Sequence, residues 1–198
     1  MTGIANGYHI LPPGRIANAV TWLQREVPPG LARPPGAGRL LRPLRGTDAA
    51  DYRDIYALVG TDWLWSSRLA MPPHELAAWL GRREVETFAA CIEGEMIGLL
   101  EMEESDAGVE VVYFGLAPEA VGQGSGRWLV QEALAAASAR GARRIWLHTC
   151  NYDHPKALGF YLRGGFAIYA QGFEVMDDPR ASGRLPRSAA SHVPMLAP

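Results

Sequence analysis

Three glycines at alternate positions, Gly122, Gly124 and Gly126, constrain the fold of this chain more than any other feature. They follow an apolar stretch that ends at Leu116 and a short turn that contains Pro118, and a helical pattern begins behind them. Glycines so close together cost backbone entropy, so the chain needs conformations or close approaches that only glycine allows. The stretch therefore predicts a strand, a tight turn and a helix in immediate succession.

The helix predicted after the turn, about residues 126–140, leads into a second apolar strand, RIWLHTC. A strand, a helix and a strand in this order form a right-handed parallel crossover. Upstream, the strand patterns VETFAACI, MIGLLEMEE and VEVVYFGL are joined by short turns with glycine, which is typical of antiparallel hairpins. We therefore predict an α/β fold with a mixed, mostly antiparallel central sheet, one βαβ crossover and flanking helices.

Proline distribution suggests three segments. Prolines crowd residues 1–36, where we expect an extension with one short strand near residues 19–26. Residues 37–178 carry the regular patterns of one domain, and residues 179–198 form a tail with little periodicity. A chain of 198 residues is long enough for one such domain with a sizeable core.

Composition argues against several classes of protein. The net charge of -2 gives no basic surplus for nucleic acid or an anionic membrane, so neither is expected as a partner. Cys91 and Cys150 lie far apart, which predicts neither a disulfide framework nor a cysteine-rich zinc site. Because no cysteine-rich zinc site is predicted, we also expect no bound metal. No apolar stretch reaches membrane-spanning length, so we expect a cytoplasmic protein.

The glycine turn is suited to phosphate groups. Backbone N–H groups at a helix N-terminus have no partner within the helix, and the helix dipole adds positive potential there. A pyrophosphate can therefore approach the bare backbone, with Arg127 adding a charge-assisted contact. The alternative is a tight turn that only packs a helix on a sheet.

Three known glycine motifs do not fit. The P-loop requires a lysine that is absent here. The dinucleotide fingerprint would place its third glycine at Arg127, and the nucleophile elbow would need glycine where Gln123 stands, two residues before Ser125.

The segment from Val112 to Val130 resembles motif A of the GNAT superfamily of N-acetyltransferases, with Gly124 and Gly126 at its two glycine positions. Val121 stands where the family has Arg or Gln, a departure that removes a side-chain contact but no backbone N–H. The segment DHPKALGFYLRGGF resembles the family's second signature, with Tyr161 followed by a Gly-Phe pair. The resemblance covers about residues 39–176, and HTCNYDHP is similar to one bacterial branch with an HTCxxDHPxAL-type segment.

This resemblance implies acetyl-coenzyme A as the acyl donor. It places the pantetheine arm beside the strand that ends at Leu116 and implies that the next strand splays away to leave a wedge for the thioester. The cofactor-binding residues so implied are Phe114, Gly115, Leu116, Val121, Gly122, Gln123, Gly124, Ser125, Gly126 and Arg127.

Acetyl transfer to an amine needs a base, because a typical amine is protonated at neutral pH. We assign Glu110, since strand alternation would place it on one face with Val112 and Phe114, and apolar neighbours raise the pKa of a carboxyl. The alternative is a solvated glutamate beside a hairpin. Glu101 and Glu103, on the neighbouring strand, are reserve candidates.

Tyr161 is the predicted general acid that protonates the leaving thiolate, a role that the resemblance implies for this position. From its helix position alone, Tyr161 could equally be a packed aromatic residue. The backbone N–H of Leu116 is expected to polarise the thioester carbonyl.

The acceptor site is expected in the loop between the first two helices. Trp63 and Trp65 would line a pocket for a small amine, and Arg68 would pair with a substrate carboxylate, unless this loop merely packs on the sheet. Glu101 and His154 complete the predicted acceptor side. The N-terminal extension suggests a homodimer arm or a covering segment.

Two other classes of function stay open at this point. His148, Cys150, Asp153 and His154 suggest a Cys/His hydrolase or a metal site. A GNAT-like fold could also be a non-catalytic sensor of acyl-coenzyme A, for which Val121 argues. Glu110 and Tyr161 argue for the enzyme.

Overall fold

The computed structural model describes residues 5–196, which contain seven strands and five α-helices; the first four residues of the predicted extension and the last two of the predicted tail lie outside this range. The strands are β1 (Arg15–Glu26), β2 (Arg39–Pro43), β3 (Val85–Ile92), β4 (Glu95–Ser105), β5 (Gly108–Leu116), β6 (Arg144–Cys150) and β7 (Ala167–Asp177). The helices are α1 (Ala49–Gly60), α2 (Ser67–Ala70), α3 (Pro73–Leu80), α4 (Ser125–Ala139) and α5 (Ala157–Arg163). Within this part of the chain, no helix is both long and apolar enough to cross a membrane.

All strands join one sheet in the order β2-β3-β4-β5-β6-β1-β7. Strands β5 and β6 are parallel and α4 connects them, whereas every other neighbouring pair is antiparallel. The predicted fold class, a mostly antiparallel sheet with one βαβ crossover and flanking helices, is confirmed.

Strand β1 occupies an interior position that the sequence did not indicate. It has 12 residues rather than the expected 19–26, and it pairs with both β6 and β7. Alternate residues Ile16, Asn18 and Val20 are buried while their neighbours are exposed, which is the pattern of a strand covered on one face. The segment predicted to be an extension thus supplies a strand inside the sheet.

Helices cover the sheet on both faces. Helix α4 packs over β4, β5 and β6, with Leu129, Ala133 and Leu134 almost fully buried. Such an apolar stripe at helical spacing stabilises the fold by roughly 1.5–3 kcal/mol for each fully buried leucine. Helices α1 and α3 cover the opposite face, where Tyr52 and Tyr56 lie in a second core.

The tail after β7 is ordered by a buried ion pair. Arg180 and Asp178 are each at most 3% exposed, with Nη2 and Oδ2 2.8 Å apart. Arg180 also donates to the carbonyl of Val193. Tail residues form a third core with Ile16, Leu64 and Tyr152, so the tail covers one end of the sheet.

Candidate active site

The sheet opens between β5 and β6. These strands pair only at Val109 with Ile145 and Glu110 with Trp146. Beyond Glu110 both strands continue, to Leu116 and Cys150, without further pairing. The backbone edge of β5 that faces β6 is therefore open along Phe114, Gly115 and Leu116. This is the wedge that the family resemblance implied.

A β-bulge decides which side chains face which side of the sheet. Glu101 lies opposite Tyr113 and Met102 opposite Val111, so Val112 is the extra residue. Phe114 joins the α4 core with Val111, whereas Glu110 shares the α1 face with Tyr113. The prediction that Glu110 shares a face with Phe114 is therefore wrong, because simple alternation does not anticipate a bulge.

Glu110 lies at the point where β5 and β6 separate. Its side chain is 23% exposed, and burial, followed by the nearby carboxylates of Glu103 and Glu101, raises its pKa to about 7. Glu103 lies directly opposite on β4, and the Nδ1 atom of His148 is 3.8 Å from the Oε1 atom of Glu110. A carboxyl with this pKa can accept a proton near neutral pH.

The glycine turn leads directly into α4. Gly122 and Gly124 have φ of 87° and 80°, in the left-handed region that favours glycine. A Cβ atom at Gly122 would meet nothing within 4 Å, so the space outside it is open. Gly126 lacks a positive φ and a Cβ there would make only ordinary contacts with Phe160, so its backbone does not require glycine. The turn thus presents bare backbone at the N-terminus of a 15-residue helix.

Arg39, on β2, brings a positive charge to this turn. Its Nη2 donates to the carbonyl of Gln123 at 2.8 Å and its Nε to the Oγ of Ser125 at 3.0 Å. Val121, at the position where the resemblance expects Arg or Gln, is 48% exposed. Sequence reasoning missed Arg39, because it lies more than 80 residues before the turn and no local pattern connects the two.

Tyr161 lies among aromatic rings on the α4 side. Its ring is 5.9 Å from those of Phe114 and Phe166 and 5.3 Å from that of Phe160. Burial raises the pKa of its phenol above the ordinary value, so the hydroxyl stays protonated at neutral pH. Its contact with Phe114 brings it beside the open edge of β5.

Glu101 and Arg68 form a buried polar cluster. Glu101 is fully buried, and its oxygens accept from Tyr52 at 2.5 Å, Arg68 at 2.6 Å and Trp79 at 3.2 Å. Both residues were predicted to contact substrate. The structure instead pairs them with each other, which leaves the Arg68 guanidinium engaged and ties α2 to β4.

The two tryptophans of the predicted acceptor loop differ in surroundings. Trp65 packs in the second core against Tyr56 and Tyr113. Trp63 lies between two imidazoles, 5.6 Å from the ring of His154 and 5.6 Å from that of His192. The tail residue His192 was not anticipated, because the tail carries no periodic pattern.

The residues of the hydrolase alternative do not converge. Burial, with a smaller effect of Asp153, raises the pKa of the Cys150 thiol to about 11, so it is not a ready nucleophile. Asp153 accepts from the backbone N–H of Cys150 and the hydroxyl of Thr149 rather than orienting a histidine. His154 accepts from the N–H of Lys156 in the turn before α5. Residues 5–196 contain no cluster of three or more His, Cys, Asp or Glu side chains that could hold a metal ion.

Comparison with solved structures finds the same architecture. A functionally unknown conserved protein from Staphylococcus epidermidis matches with a TM-score of 0.64 and 17% identity, over 83% of this chain and 63% of that one. A putative GNAT-family acetyltransferase from Novosphingobium aromaticivorans matches with a TM-score of 0.58 and 18% identity, over 84% of this chain and 68% of that one. A GCN5-related N-acetyltransferase from Sphaerobacter thermophilus matches with a TM-score of 0.60 and 17% identity, over 81% of this chain and 52% of that one. This chain thus spans about half to two thirds of the length of these structures.

The fold is a mixed α/β domain with an open wedge between its two parallel strands. The profile of the acetyltransferase (GNAT) family matches residues 52–166, more than half of the chain. The chain belongs to the GNAT acetyltransferase family. No curated protein matches it.

Proposed function

We propose that this protein transfers the acetyl group of acetyl-coenzyme A to the amine of a small acceptor, in a ternary complex and without a covalent acetyl-enzyme. One observation carries the proposal: β5 and β6 separate at Glu110, and the glycine turn follows the open end of β5. A proton acceptor and an anion cradle therefore lie at the two ends of one open strand edge. Family membership supports acetyl transfer in general.

The residues present suit acetyl-coenzyme A. The bare backbone at Gly122 and Gly124, the N-terminus of α4 and the guanidinium of Arg39 together suit a pyrophosphate. The open edge of Phe114, Gly115 and Leu116 suits an extended amide-containing arm, which can pair as an added strand does. When bound, acetyl-coenzyme A supplies the activated acetyl thioester.

The protein's own groups move the protons. Glu110 takes a proton from the acceptor ammonium, and the neutral amine then attacks the carbonyl carbon. A backbone N–H on the open edge of β5 hydrogen-bonds the carbonyl oxygen as negative charge develops there. The donor predicted from the sequence, Leu116, lies six residues from Glu110, at the end of the edge that meets the glycine turn. As the carbon–sulfur bond breaks, Tyr161 gives its phenolic proton to the departing thiolate. The attacking nitrogen gives up its second proton, which returns to the Tyr161 oxygen, so an amide, a free thiol and a neutral Tyr161 are the products.

Several finer assignments belong to this proposal. We propose that Trp63 and His154 border the acceptor side, and that the protein works in the cytoplasm with no nucleic-acid or membrane partner. A homodimer is also part of the proposal, with the exposed residues before β1 as its contact.

Excess acetyl-coenzyme A should raise the melting temperature of the purified protein. A ligand at about 100 times its dissociation constant stabilises the native state by roughly 2.7 kcal/mol.

Arg39→Gln should weaken binding about tenfold or more, because a hydrogen bond to a charged group contributes about 1.5–3 kcal/mol. Thermal unfolding over a range of ligand concentrations measures both effects.

Arg15→Gln is the matched control for Arg39→Gln, since Arg15 is a half-exposed arginine on β1 that pairs with Asp177, away from the turn. It should bind acetyl-coenzyme A as the wild type does. No shift at millimolar ligand would contradict the cofactor site. A shift without any amine acetylation would favour the sensor alternative.

A further inference from the structure

Two separate cores lie on the same face of the sheet. Helices α1 and α3 cover the β3–β5 part, and the tail core covers the end near Ile16 and Cys150. Between them a strip of sheet carries side chains that belong to neither core. These are Glu110, Trp146, His148 and Trp22.

Strand register places these four side chains together. Glu110 lies opposite Trp146, and His148 follows two residues later on the same face of β6. Trp22 on β1 lies opposite His148, with ring centroids 6.3 Å apart. A Cβ atom at Gly172 would come within 3.1 Å of the Trp22 indole, so this ring lies across β7 at Gly172. The strip is thus an aromatic floor that ends at the proposed base.

Carboxylates lie along this floor. Glu110 and Glu103 lie across from each other, and Glu174 lies opposite Asn18 on the same face. The guanidinium groups that border the floor already have partners, and that of Arg144 lies 5.8 Å from the ring centroid of Trp146, at the end of the floor away from Trp22. Arg68 pairs with Glu101, Arg82 with Glu103, and Arg144 with the side chain of Gln24 and the carbonyl of Ala107.

We propose that the acceptor is an organic cation, a primary amine on a flat apolar body without a carboxylate, with its body on Trp22 and its ammonium beside Glu110. This inference rests on the proposed function and names its substrate class. Indole faces attract cations and stack on flat rings. A carboxylate on the acceptor would lie against the Glu110 and Glu103 carboxylates, and the Arg68 guanidinium is already paired with Glu101. This replaces the expectation that Arg68 binds an acidic substrate.

The discriminating probes are phenethylamine and phenylalanine, which differ by one carboxylate. Initial rates of thiol release, with acetyl-coenzyme A saturating, give kcat/KM for each. We expect phenethylamine to exceed phenylalanine by at least tenfold, and to exceed butylamine, which has no ring.

Variants of Trp22 test the floor itself. Trp22→Leu should raise KM for phenethylamine about tenfold with little change in kcat or in the KM for butylamine, and Trp22→Phe should restore most of the loss. Phe173→Leu is the matched control, because Phe173 is a half-exposed aromatic on the opposite face of the neighbouring strand and should leave KM unchanged. The thermal shift with acetyl-coenzyme A checks that each variant is folded.

Different results would contradict the proposed substrate class and the proposed acetyl transfer. Preference for phenylalanine, or equal KM values for phenethylamine in the wild type and Trp22→Leu, would overturn the substrate class and leave acetyl transfer standing. Lack of turnover with every amine, despite a thermal shift with acetyl-coenzyme A, would overturn the proposed function as well.

Discussion

Glu110→Gln should lower kcat about 10²- to 10⁴-fold while acetyl-coenzyme A binds as tightly as before. A positioned base contributes a factor of this size, and the amide of glutamine cannot accept the proton. In the wild type, activity should rise with pH through about 7, because Glu110 must be deprotonated to act and its pKa is raised to about 7. The pH profile of kcat/KM measures this limb, which the variant should lack.

Glu103→Gln is the matched control on the opposite strand. Glu103 raises the pKa of Glu110, so removing its charge should move the acidic limb of the profile to lower pH and leave turnover in place at neutral pH. Glu110 would lose its assignment if Glu103→Gln abolished turnover and Glu110→Gln retained it.

Glu101→Gln should lower the free energy of unfolding by about 3–5 kcal/mol. The amide would leave the Arg68 guanidinium, whose side chain is only 13% exposed, without its negative partner. Breaking a buried pair from one side costs this much because an uncompensated charge stays in the interior. Urea unfolding followed by fluorescence measures the loss, and the aromatic residues around the site report it.

Glu103 again supplies the comparison, since its pair with Arg82 is about one quarter to two fifths exposed on each side. Glu103→Gln should cost at most about 1 kcal/mol. Equal losses for the two variants would show that Glu101 does not hold a buried charge. Replacing Glu101 and Arg68 together by leucine should recover much of the stability, because no unpaired charge then remains.

Much of the fold followed from local sequence patterns. The glycine turn, the stripe on α4 and the hairpin turns sufficed to predict the mixed sheet and its crossover, because each pattern reflects contacts close in the chain. The interior position of β1 could not be predicted, since pairing between residues such as Trp22 and His148 leaves no trace in either strand alone.

The site was predictable where a single strand or turn determines it. The open edge of β5 that the resemblance implied is present, with Glu110 at one end and the glycine turn at the other. The bulge at Val112 determines which other side chains of β5 share a face with Glu110, and a pattern of alternation does not reveal that bulge. Arg39 and His192 reach the site from distant segments, so only the tertiary structure identifies them.

The most direct test of acetyl transfer is to follow thiol release and the acetylated amine together, with the purified protein, acetyl-coenzyme A and a mixture of primary amines. We expect one thiol for each acetylated amine, with both products lost in Glu110→Gln. Thiol release that proceeds equally without any amine, with free acetate as the product, would contradict it and indicate a hydrolase.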